Sequence, residues 1–495
     1  MTNAMNEIQN LLKEIGPGRM SSTAYDTAWV ARLGDIDREL SNRAMEWICE
    51  NQLPDGSWGA KDVYYYHDRV ICTLAAMIAL TNRGRRAYDK AQIERGLLAL
   101  EKITSGATQG LAADPNGATI GFEMIAPTLV AEAEKLGIIK QQGERILGRM
   151  SRLRNNKMAK LAGRKINRMV TPAFSSEMAG IDGQPILDPD NLQESNGSIA
   201  NSPSATSYFA MHIKQGDQSA LSYIRKWVSA SGGAPNVAPF DIFEPAWALW
   251  NIRLLANLNT NAITLCQPHI NYLFSHWNVD TGIGHASEYT PKDSDDSGLV
   301  FEVLSKFNCQ INIKGVLNYE EADYFRCFDL EANPSISANI HVLGALREAG
   351  YEKDHSSVQK ILKFLRSNRV ENGSWFDKWH VSPYYATSHA IILAHGYDKE
   401  ICQDAVSWII NSQHDDGSWG LFYNPTAEET AYAIQALCVW ERAGNRIPNG
   451  SIERGAKWLT EHVQPPYEPL WIGKALYCPE LVVQSTILSA LQLAN

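Results

Sequence analysis

Three aspartates stand within four positions in the stretch "KDSDDSGLV", residues 292–300. Like charges a few ångströms apart cannot all ionise cheaply, so one carboxyl of such a cluster keeps its proton and has a raised pKa. Burial against the apolar residues beside the cluster would raise that pKa further. Asp293, Asp295 and Asp296 could therefore form a general acid that works near neutral pH.

Two other interpretations suit the same residues. An aspartate could cap a helix, with acidic residues in the first turn. A calcium loop of the EF-hand type would need Gly at its sixth position and Glu at its twelfth. Counted from Asp293, the sixth residue is Gly298 but the twelfth is Leu304, which excludes that loop. The residues alone leave a helix cap and an acid site open.

The elements that must position these carboxyls are predicted to be helices. Apolar residues recur at helical spacing in segments such as "VICTLAAMIAL", "QDAVSWIINSQ" and "ETAYAIQALCVWERAG". Gly, Pro, Asn or Asp usually marks the joins, and alternating strand patterns are scarce. The pattern predicts an all-α protein of many short helices.

A weak internal repeat indicates how the helices are arranged. The segments "QLPDGSW" at 52–58 and "QHDDGSW" at 413–419 share one pattern, of which "QESNGSI" at 193–199 and "RVENGSW" at 369–375 are degraded copies. Each copy offers a turn in which Gly can take positive φ, and usually an indole that can lock neighbouring helices together. Copies in both halves predict helical hairpins closed into two α-toroids, with a boundary near residue 220.

Composition narrows the classes of function. The 495 residues suffice for two large domains, and the formal net charge of −10 disfavours a nucleic-acid partner. Eight cysteines without a CxxC pair argue against a zinc site and a disulfide framework. The N-terminal segment does not resemble a signal peptide, and no apolar run reaches the roughly 18 residues of a membrane span. We expect a soluble, cytoplasmic protein, either a monomer or a homodimer.

The aspartate cluster has the form DxDD and, together with the Q/G/W repeats, resembles class II terpene cyclases. Further segments along essentially the whole chain are similar to class II diterpene cyclases, above all the bacterial two-domain enzymes that make labdane, halimane or clerodane diphosphates. These segments are "SSTAYDTAWVARL" at 21–33, "IGFEMIAPTLV" at 120–130, "NSPSATSYFA" at 201–210, "GGAPNVAPFDIFEPAW" at 232–247 and "DKWHVSPYYATSH" at 377–389.

This resemblance implies two α/α-barrel domains with the substrate cavity between them. The β domain would comprise residues 1–20 and 223–495, and the inserted γ domain residues 21–222. The chain has no DDxxD metal motif and no room for a third, ionising domain. The expected substrate is a polyprenyl diphosphate, in particular geranylgeranyl diphosphate, whose diphosphate is retained in the product.

The resemblance also assigns the acid. Asp295 would protonate the terminal alkene, while Asp293 and Asp296 hold its proton in position and increase its acidity. His341 matches a residue that hydrogen-bonds to the acid. Ser337 lies one helical turn earlier on the same face, so both side chains could contact the cluster.

Aromatic and cationic residues would hold the two ends of the substrate. Aromatic faces stabilise a carbocation without ending the reaction readily, and the candidates are Trp247, Trp379, Tyr384 and Tyr385. Lys378 matches a lysine that binds diphosphate. The second such lysine is Lys160 or Lys157, of which Lys160 is favoured. Mg²⁺ is expected by resemblance, with Asp114 and Glu123 as its candidate ligands.

Termination is where this sequence departs from the family pattern. Plant ent-copalyl synthases remove the final proton through water held by a His and an Asn. Asn236 matches the Asn, but Ser176 occupies the apparent His position. Without an early base, hydride and methyl shifts can come first, which predicts a halimane or clerodane product. The alternatives are unrearranged copalyl diphosphate, a drimane-type sesquiterpenoid or meroterpenoid cyclase, and a non-catalytic α-toroid that binds isoprenoids.

Overall fold

The computed structural model describes residues 2–83, 87–105, 118–140, 150–422 and 424–495. Helices dominate these residues, which confirms the all-α prediction. Four two-residue strands also occur among them: β1 Ser22–Thr23, β2 Ala234–Pro235, β3 Trp471–Ile472 and β4 Leu476–Tyr477. The α-helices are α1 Thr2–Glu14, α2 Ala24–Ala31, α3 Arg38–Glu50, α4 Tyr66–Arg83, α5 Ala87–Ser105, α6 Phe122–Lys135, α7 Met150–Lys160, α8 Pro203–Tyr208, α9 Gln218–Trp227, α10 Phe243–Arg253, α11 Thr260–His276, α12 Ser294–Lys306, α13 Lys314–Leu317, α14 Ile336–Glu348, α15 Ser356–Ser367, α16 Pro383–Ala394, α17 Lys399–Asn411, α18 Ala427–Arg442, α19 Ser451–Thr460 and α20 Glu480–Ala494.

The larger barrel is a closed ring of inner helices surrounded by outer ones. Helices α10, α12, α14, α16, α18 and α20 pack in that order, and α20 packs back on α10. The inner helices bury nearly every residue, polar side chains included, whereas outer helices bury one apolar stripe. In α15, for example, that stripe is Val358, Ile361, Leu362 and Leu365. This pattern produces the two-layered α/α barrel.

The smaller barrel repeats the arrangement with shorter elements. Its ring runs through α2, α4, α6, the 3₁₀ turn Ser176–Ala179 and α8, and α8 closes on α2. Helices α3, α5 and α9 pack outside α2, α4 and α8 respectively. The 3₁₀ turn is buried throughout, so the polar side chains that it carries lie inside the molecule.

The two hydrophobic cores divide the chain differently from the predicted boundary at residues 222 and 223. That boundary falls inside α9, whose Tyr223 and Ile224 pack in the smaller barrel's core. This core continues to Ala234, and the larger barrel's core resumes at Ile242. Because a helix that packs on one core moves with it, the packing places the division between residues 234 and 242. Helix α1 packs on α11 and α20 of the larger barrel.

The Q/G/W repeats form turns that tie an outer helix to the next inner one. Their glycines all have φ between +88° and +96°, and a Cβ atom on any of them would lie within 3 Å of a neighbouring backbone atom. The three indoles donate Nε1–H, at 2.8 Å, to a carbonyl ten residues earlier, and their amides donate to a threonine hydroxyl at 3.0 Å. The residues concerned are Gly56, Gly197, Gly373 and Gly417, Trp58, Trp375 and Trp419, and Thr73, Thr387 and Thr430.

The barrels are joined by the β3–β4 hairpin near the C-terminus. Gly473 of the hairpin accepts a hydrogen bond from the Ile120 amide at 2.8 Å, and the Leu476 amide donates to Asp68 at 2.8 Å. Both partners belong to the smaller barrel, so the hairpin crosses from one core to the other. Within the described ranges, no helix has the length and apolar character to span a membrane.

Candidate active site

The DxDD segment forms the beginning of α12 in the larger barrel. Asp293 is the N-cap, and its carboxylate accepts the Asp296 amide at 2.8 Å. Asp295 and Asp296 lie in the first turn, where the helix N-terminus stabilises negative charge. The cap interpretation is therefore right for Asp293, and it places the other two carboxyls at the start of a buried inner helix.

Burial, and after it crowding, raises the pKa values of two carboxyls in this cluster. Burial raises the pKa of Asp293 to about 7, and the negative charge of Asp295 adds to this effect. Burial and then the charge of Asp293 raise the pKa of Asp296 well above its ordinary value. Of the two, Asp293 is therefore the carboxyl that loses its proton near neutral pH.

Asp295 receives its hydrogen bonds from α14. His341 Nδ1 lies 2.5 Å from its Oδ1, and Ser337 Oγ lies 3.3 Å from its Oδ2. Both partners come from one face of α14, as their four-residue spacing predicts. The predicted role of Asp293 and Asp296 in holding the proton of Asp295 stays a prediction.

Asp377 fixes the start of α14 behind the acid. Its carboxylate accepts the amides of Ile336 and Ser337 at 2.8 and 3.1 Å. It also accepts the hydroxyl of Ser337 at 2.9 Å. A carboxylate at a helix N-terminus satisfies otherwise unpaired amides, so Asp377 orients the helix that carries Ser337 and His341.

Asp295 opens onto a cavity between the two barrels. Its empty volume is about 1140 Å³ including the open mouth, enough for an extended ligand. Both barrels line it, mostly with apolar and aromatic side chains, and such walls keep water from competing for a proton. The lining residues are Met20, Ile120, Thr171, Pro172, Ser175, Ala200, Ser202, Asn236, Val237, Phe240, Phe243, Trp247, His285, Tyr289, Pro291, Lys292, Asp293, Asp295, Asp296, Cys327, Phe328, Trp379, Trp471, Ile472, Gly473, Lys474 and Tyr477.

The predicted cavity aromatics occupy three different places. Trp247 and Trp379 line the cavity. Tyr385 lies behind that wall, where its hydroxyl accepts Trp247 Nε1–H at 3.4 Å. Tyr384 points the other way, onto Trp408 of outer helix α17 with ring centroids 4.6 Å apart. The prediction for Tyr384 is therefore wrong, because consecutive helical residues point about 100° apart.

The aromatic wall contains further rings that the sequence did not single out. Phe243 stacks on Trp247 with centroids 3.9 Å apart, and Trp471 meets Phe243 edge-on at 5.4 Å. Phe328 lies next to Trp379, at 6.1 Å. Only Phe243 had a local signal, since it stands four residues before Trp247 on one helical face. Trp471 and Phe328 reach the wall through tertiary packing.

Two of the candidate lysines converge on one glutamate. Lys378 Nζ contacts the Glu331 carboxylate, and Lys160 Nζ contacts the Glu331 backbone carbonyl. Burial lowers the pKa of Lys378, but Glu331 more than offsets this, so the pKa lies above its ordinary value. Lys157 instead pairs with Glu123 at 2.7 Å. The geometry thus brings Lys160 and Lys378 together and separates Lys157 from them.

Comparison with known proteins identifies the family. A type B diterpene cyclase from Mycobacterium tuberculosis is 49% identical over 498 residues, which cover 99% of each chain. The chain belongs to the class II diterpene cyclases. The family model of the squalene-hopene cyclase C-terminal domain matches residues 319–469 of this cyclase. The ent-copalyl diphosphate synthase structure from Streptomyces platensis has a TM-score of 0.80 at 25% identity and covers 99% of both chains.

A more distant relative matches part of the cyclase. The chloroplastic ent-copalyl diphosphate synthase AN1 of Zea mays is 30% identical over 393 residues, which are 76% of this chain and 46% of the maize protein. The prediction that the chain is an enzyme, a class II diterpene cyclase, is confirmed by these relatives and by the fold. The skeleton of its product is a separate question.

The residues predicted to govern termination lie in the smaller barrel and at the hairpin. Asn236 lines the cavity of the cyclase, and its amide donates to Asp26 at 2.9 Å. Ser176 is fully buried, and its hydroxyl donates to the Ala205 carbonyl at 3.3 Å. Its neighbour Ser175 is the serine that lines the cavity. Ser176 therefore lies in the smaller barrel's ring, but its side chain faces away from the cavity.

A buried charged network surrounds Asn236. Lys474 of the hairpin pairs with Glu177 at 2.5 Å and donates to Ser202 and Ser204 at 2.7 and 2.9 Å. Burial raises the pKa of Asp26 to about 6, although Lys474 opposes the rise. Sequence reasoning missed this network because Glu177 and Lys474 stand 297 positions apart. The one local indication in the sequence was that Glu177 directly follows Ser176, a predicted site residue.

The described residues do not form a magnesium site. Within them, no three His, Cys, Asp or Glu side chains are grouped so as to hold a metal. The carboxylate of Glu123 is already paired with Lys157. Asp114, the other predicted ligand, lies outside the described residues.

Proposed function

We propose that the cyclase protonates the terminal alkene of geranylgeranyl diphosphate with Asp295 and forms a bicyclic diphosphate. One observation carries this proposal: Asp295 is held by His341 and Ser337 at the wall of an aromatic cavity that reaches both barrels. An alkene is a weak base, so its protonation needs a donor already aimed at carbon in a site that excludes water.

The chemistry begins when the proton of Asp295 bonds to the CH carbon of the terminal alkene, and the O–H bond of the acid breaks. A tertiary cation results, and two internal alkenes attack in turn to close two rings. The negative faces of Trp247, Phe243 and Trp471 stabilise the moving charge. The acid is left as a carboxylate that accepts a hydrogen bond from His341, and loss of a proton from the final cation ends the reaction.

Lys378 and Lys160 are proposed to hold the diphosphate. Both ammonium groups meet at Glu331, whose carboxylate pairs with Lys378, so an arriving diphosphate would find a site with a net positive charge. Charge-assisted hydrogen bonds to phosphate oxygens are about twice as strong as neutral ones. Since protonation of the alkene starts the proposed reaction, the diphosphate is retained in the product.

The proposed product has a rearranged halimane or clerodane skeleton. Asn236, which would share a water with a histidine in a plant-like base pair, donates to Asp26 instead, and Ser176 faces away from the cavity. Lys474 lies nearby on the cavity wall, and an ammonium group cannot accept a proton. With early deprotonation disfavoured, hydride and methyl shifts have time to occur.

The test is a product assay with C15, C20 and C25 prenyl diphosphates. Products are dephosphorylated and identified by mass spectrometry and NMR. We expect the wild type to convert the C20 substrate to a rearranged bicycle. Asp295→Ala should lose turnover, whereas Asp415→Ala, whose aspartate lies in an exposed repeat turn, should keep full turnover.

Each other outcome contradicts a defined part of the proposal. An unrearranged labdane with an exocyclic alkene refutes the skeleton, and faster turnover of the C15 substrate refutes the chain length. Absence of product from all three substrates refutes catalysis and favours an isoprenoid-binding toroid. Equal turnover by wild type and Asp295→Ala removes Asp295 as the acid.

A further inference from the structure

A second imidazole lies behind the proposed acid. His341 Nε2 is 2.9 Å from Nδ1 of His389 on α16, and both rings are buried. His389 stacks on Trp250 of α10, with centroids 4.2 Å apart and planes at 16°. Asp295, His341 and His389 therefore form one chain of hydrogen bonds that leads away from the cavity into the larger barrel.

His389 is held in its neutral form. Burial is the main cause that lowers its pKa well below the ordinary value, and electrostatic interaction with neighbouring basic side chains, Arg253 among them, adds to it. Glu302 could offset this only weakly, since Arg253 and Arg347 neutralise it at 2.5 and 3.3 Å. The remaining titratable groups that face the pair are Asp295 on α12, Tyr385 on α16 and Tyr432 on α18.

The hydrogen bond between the two imidazoles contains one proton, and its position decides the state of the acid. If His341 were neutral and carried this proton on Nε2, its Nδ1 would have no proton. Nδ1 would then have to accept a hydrogen bond from the acidic proton of Asp295 on Oδ1. If both nitrogens of His341 carried protons, Asp295 would be a carboxylate in an ion pair. In neither case is Asp295 free to protonate an alkene.

We propose that His389 donates its Nδ1–H to His341 Nε2 and thereby fixes His341 as the donor to Asp295 Oδ1. The acidic proton of Asp295 must then lie on Oδ2. Ser337 does not compete for that position, because its single hydroxyl proton has a shorter bond to Asp377, 2.9 against 3.3 Å. His389 is thus a positioning residue that acts through His341.

The same arrangement supports proton transfer. When Oδ2 gives up its proton, Asp295 becomes a carboxylate, and the donor already at Oδ1 stabilises the new charge without reorientation. A hydrogen bond to the charged form strengthens an acid. This inference rests on the proposed role of Asp295, but the protonation state of His341 can be measured independently of turnover.

Two substitutions distinguish the effect of the His389 hydrogen-bond donor from that of its aromatic ring. His389→Phe keeps an aromatic ring on Trp250 and removes the donor, whereas His389→Asn places an amide N–H close to the former Nδ1. We expect kcat of His389→Phe to fall about 10-fold or more, a part of the roughly 10²–10⁴-fold that positioned proton transfer contributes, with little change in KM. His389→Asn should recover most of kcat. His395→Asn, at the C-terminal end of the same helix and bonded to the Ile391 carbonyl, is the control and should match wild type.

The decisive readout is ¹⁵N NMR of histidine-labelled protein, with His341 assigned by its loss in His341→Asn. Wild type and His389→Asn should show His341 protonated at Nδ1 only, and His389→Phe should show protonation at Nε2. Wild-type His341 protonated at Nε2 overturns the proposal, as does a folded His389→Phe with wild-type kcat and tautomer. If His389→Phe does not fold, the wild-type tautomer alone decides. If wild type turns over no substrate, the proposed function fails while this test still stands.

Discussion

At the scale of single residues, the DxDD motif divides its tasks. Asp293 caps α12, burial raises the pKa of Asp296 in the first turn, and Asp295 alone is held from α14. Helical geometry explains the division, since the cap lies outside the helix while the next residues point about 100° apart. The flanking pair therefore sets the charge beside the acid.

The pair makes the rate depend on pH. Burial raises the pKa of Asp293 to about 7 and that of Asp296 well above its ordinary value, so Asp293 is the carboxyl that loses its proton as the pH rises through about 7. The lost proton leaves an additional negative charge next to Asp295, which disfavours forming another carboxylate there. We predict that kcat of wild type falls as the pH rises from 6 to 8.

Asp293→Asn checks this assignment. Asparagine also caps a helix but carries no titratable group, so the step in kcat near pH 7 should disappear. Asp323→Asn, an exposed aspartate in a loop, serves as the control and should keep the step. A step that persists in Asp293→Asn would assign the titration to another group.

At the scale of elements, the repeat turns determine how the hairpins close. Gly417 has φ of +96°, and its Cβ would lie 2.7 Å from the Arg454 carbonyl carbon. Gly444 has a similar φ of +82° but open space around it. The pair therefore separates backbone strain from close packing.

We predict that Gly417→Ala destabilises the protein more than Gly444→Ala. Gly444→Ala should lower the free energy of unfolding only by the strain of a left-handed backbone, about 1 kcal/mol. Gly417→Ala adds a clash with α19, so it should lower that free energy by about 3 kcal/mol or more in total. Urea unfolding followed by circular dichroism measures both, and equal losses would show that the turn does not need the close approach.

The sequence was most informative about the helices and the turns between them. Helical periodicity and the Q/G/W turns predicted an α-toroid fold, and the spacing of Ser337 and His341 predicted their shared face. The boundary at 222 was misplaced because the composition of α9 does not reveal which core it packs on. Glu331, Lys474 and His389 could not be found, since their partners are distant in sequence and no local pattern marks them.

At the scale of the whole molecule, charged side chains connect the barrels. Lys474 of the β3–β4 hairpin is 2.5 Å from Glu177 in the smaller barrel's ring, and both side chains are at least nine-tenths buried. Removing one partner of a buried pair leaves an uncompensated charge and costs about 3–5 kcal/mol. We predict a clear drop in thermal stability for Lys474→Met.

The double variant Lys474→Met, Glu177→Leu supplies the control. Replacing both charges by apolar groups is often close to neutral, so it should recover much of the melting temperature lost by Lys474→Met. A double variant as unstable as the single one would show that packing of the lysine stem, rather than its charge, joins the barrels there.

The proposed diphosphate site also spans the two barrels, because Lys160 ends α7 and Lys378 precedes α16. We predict that Lys160→Ala and Lys378→Ala each raise KM for geranylgeranyl diphosphate by about 10-fold or more, the value of a charge-assisted hydrogen bond. Steady-state kinetics with exposed Lys165→Ala as control tests this. A larger effect of Lys157→Ala than of Lys160→Ala would reverse the choice between them.

A proton donated by the enzyme, and not loss of diphosphate, is proposed to start the reaction. Turnover of geranylgeranyl diphosphate in deuterium oxide measures this directly, because the acid exchanges its proton with solvent before each cycle. We predict a bicyclic product that still carries its diphosphate and has a single deuterium on the ring carbon that was the CH carbon of the terminal alkene. A product without deuterium at that carbon, or one that has lost its diphosphate, would contradict it.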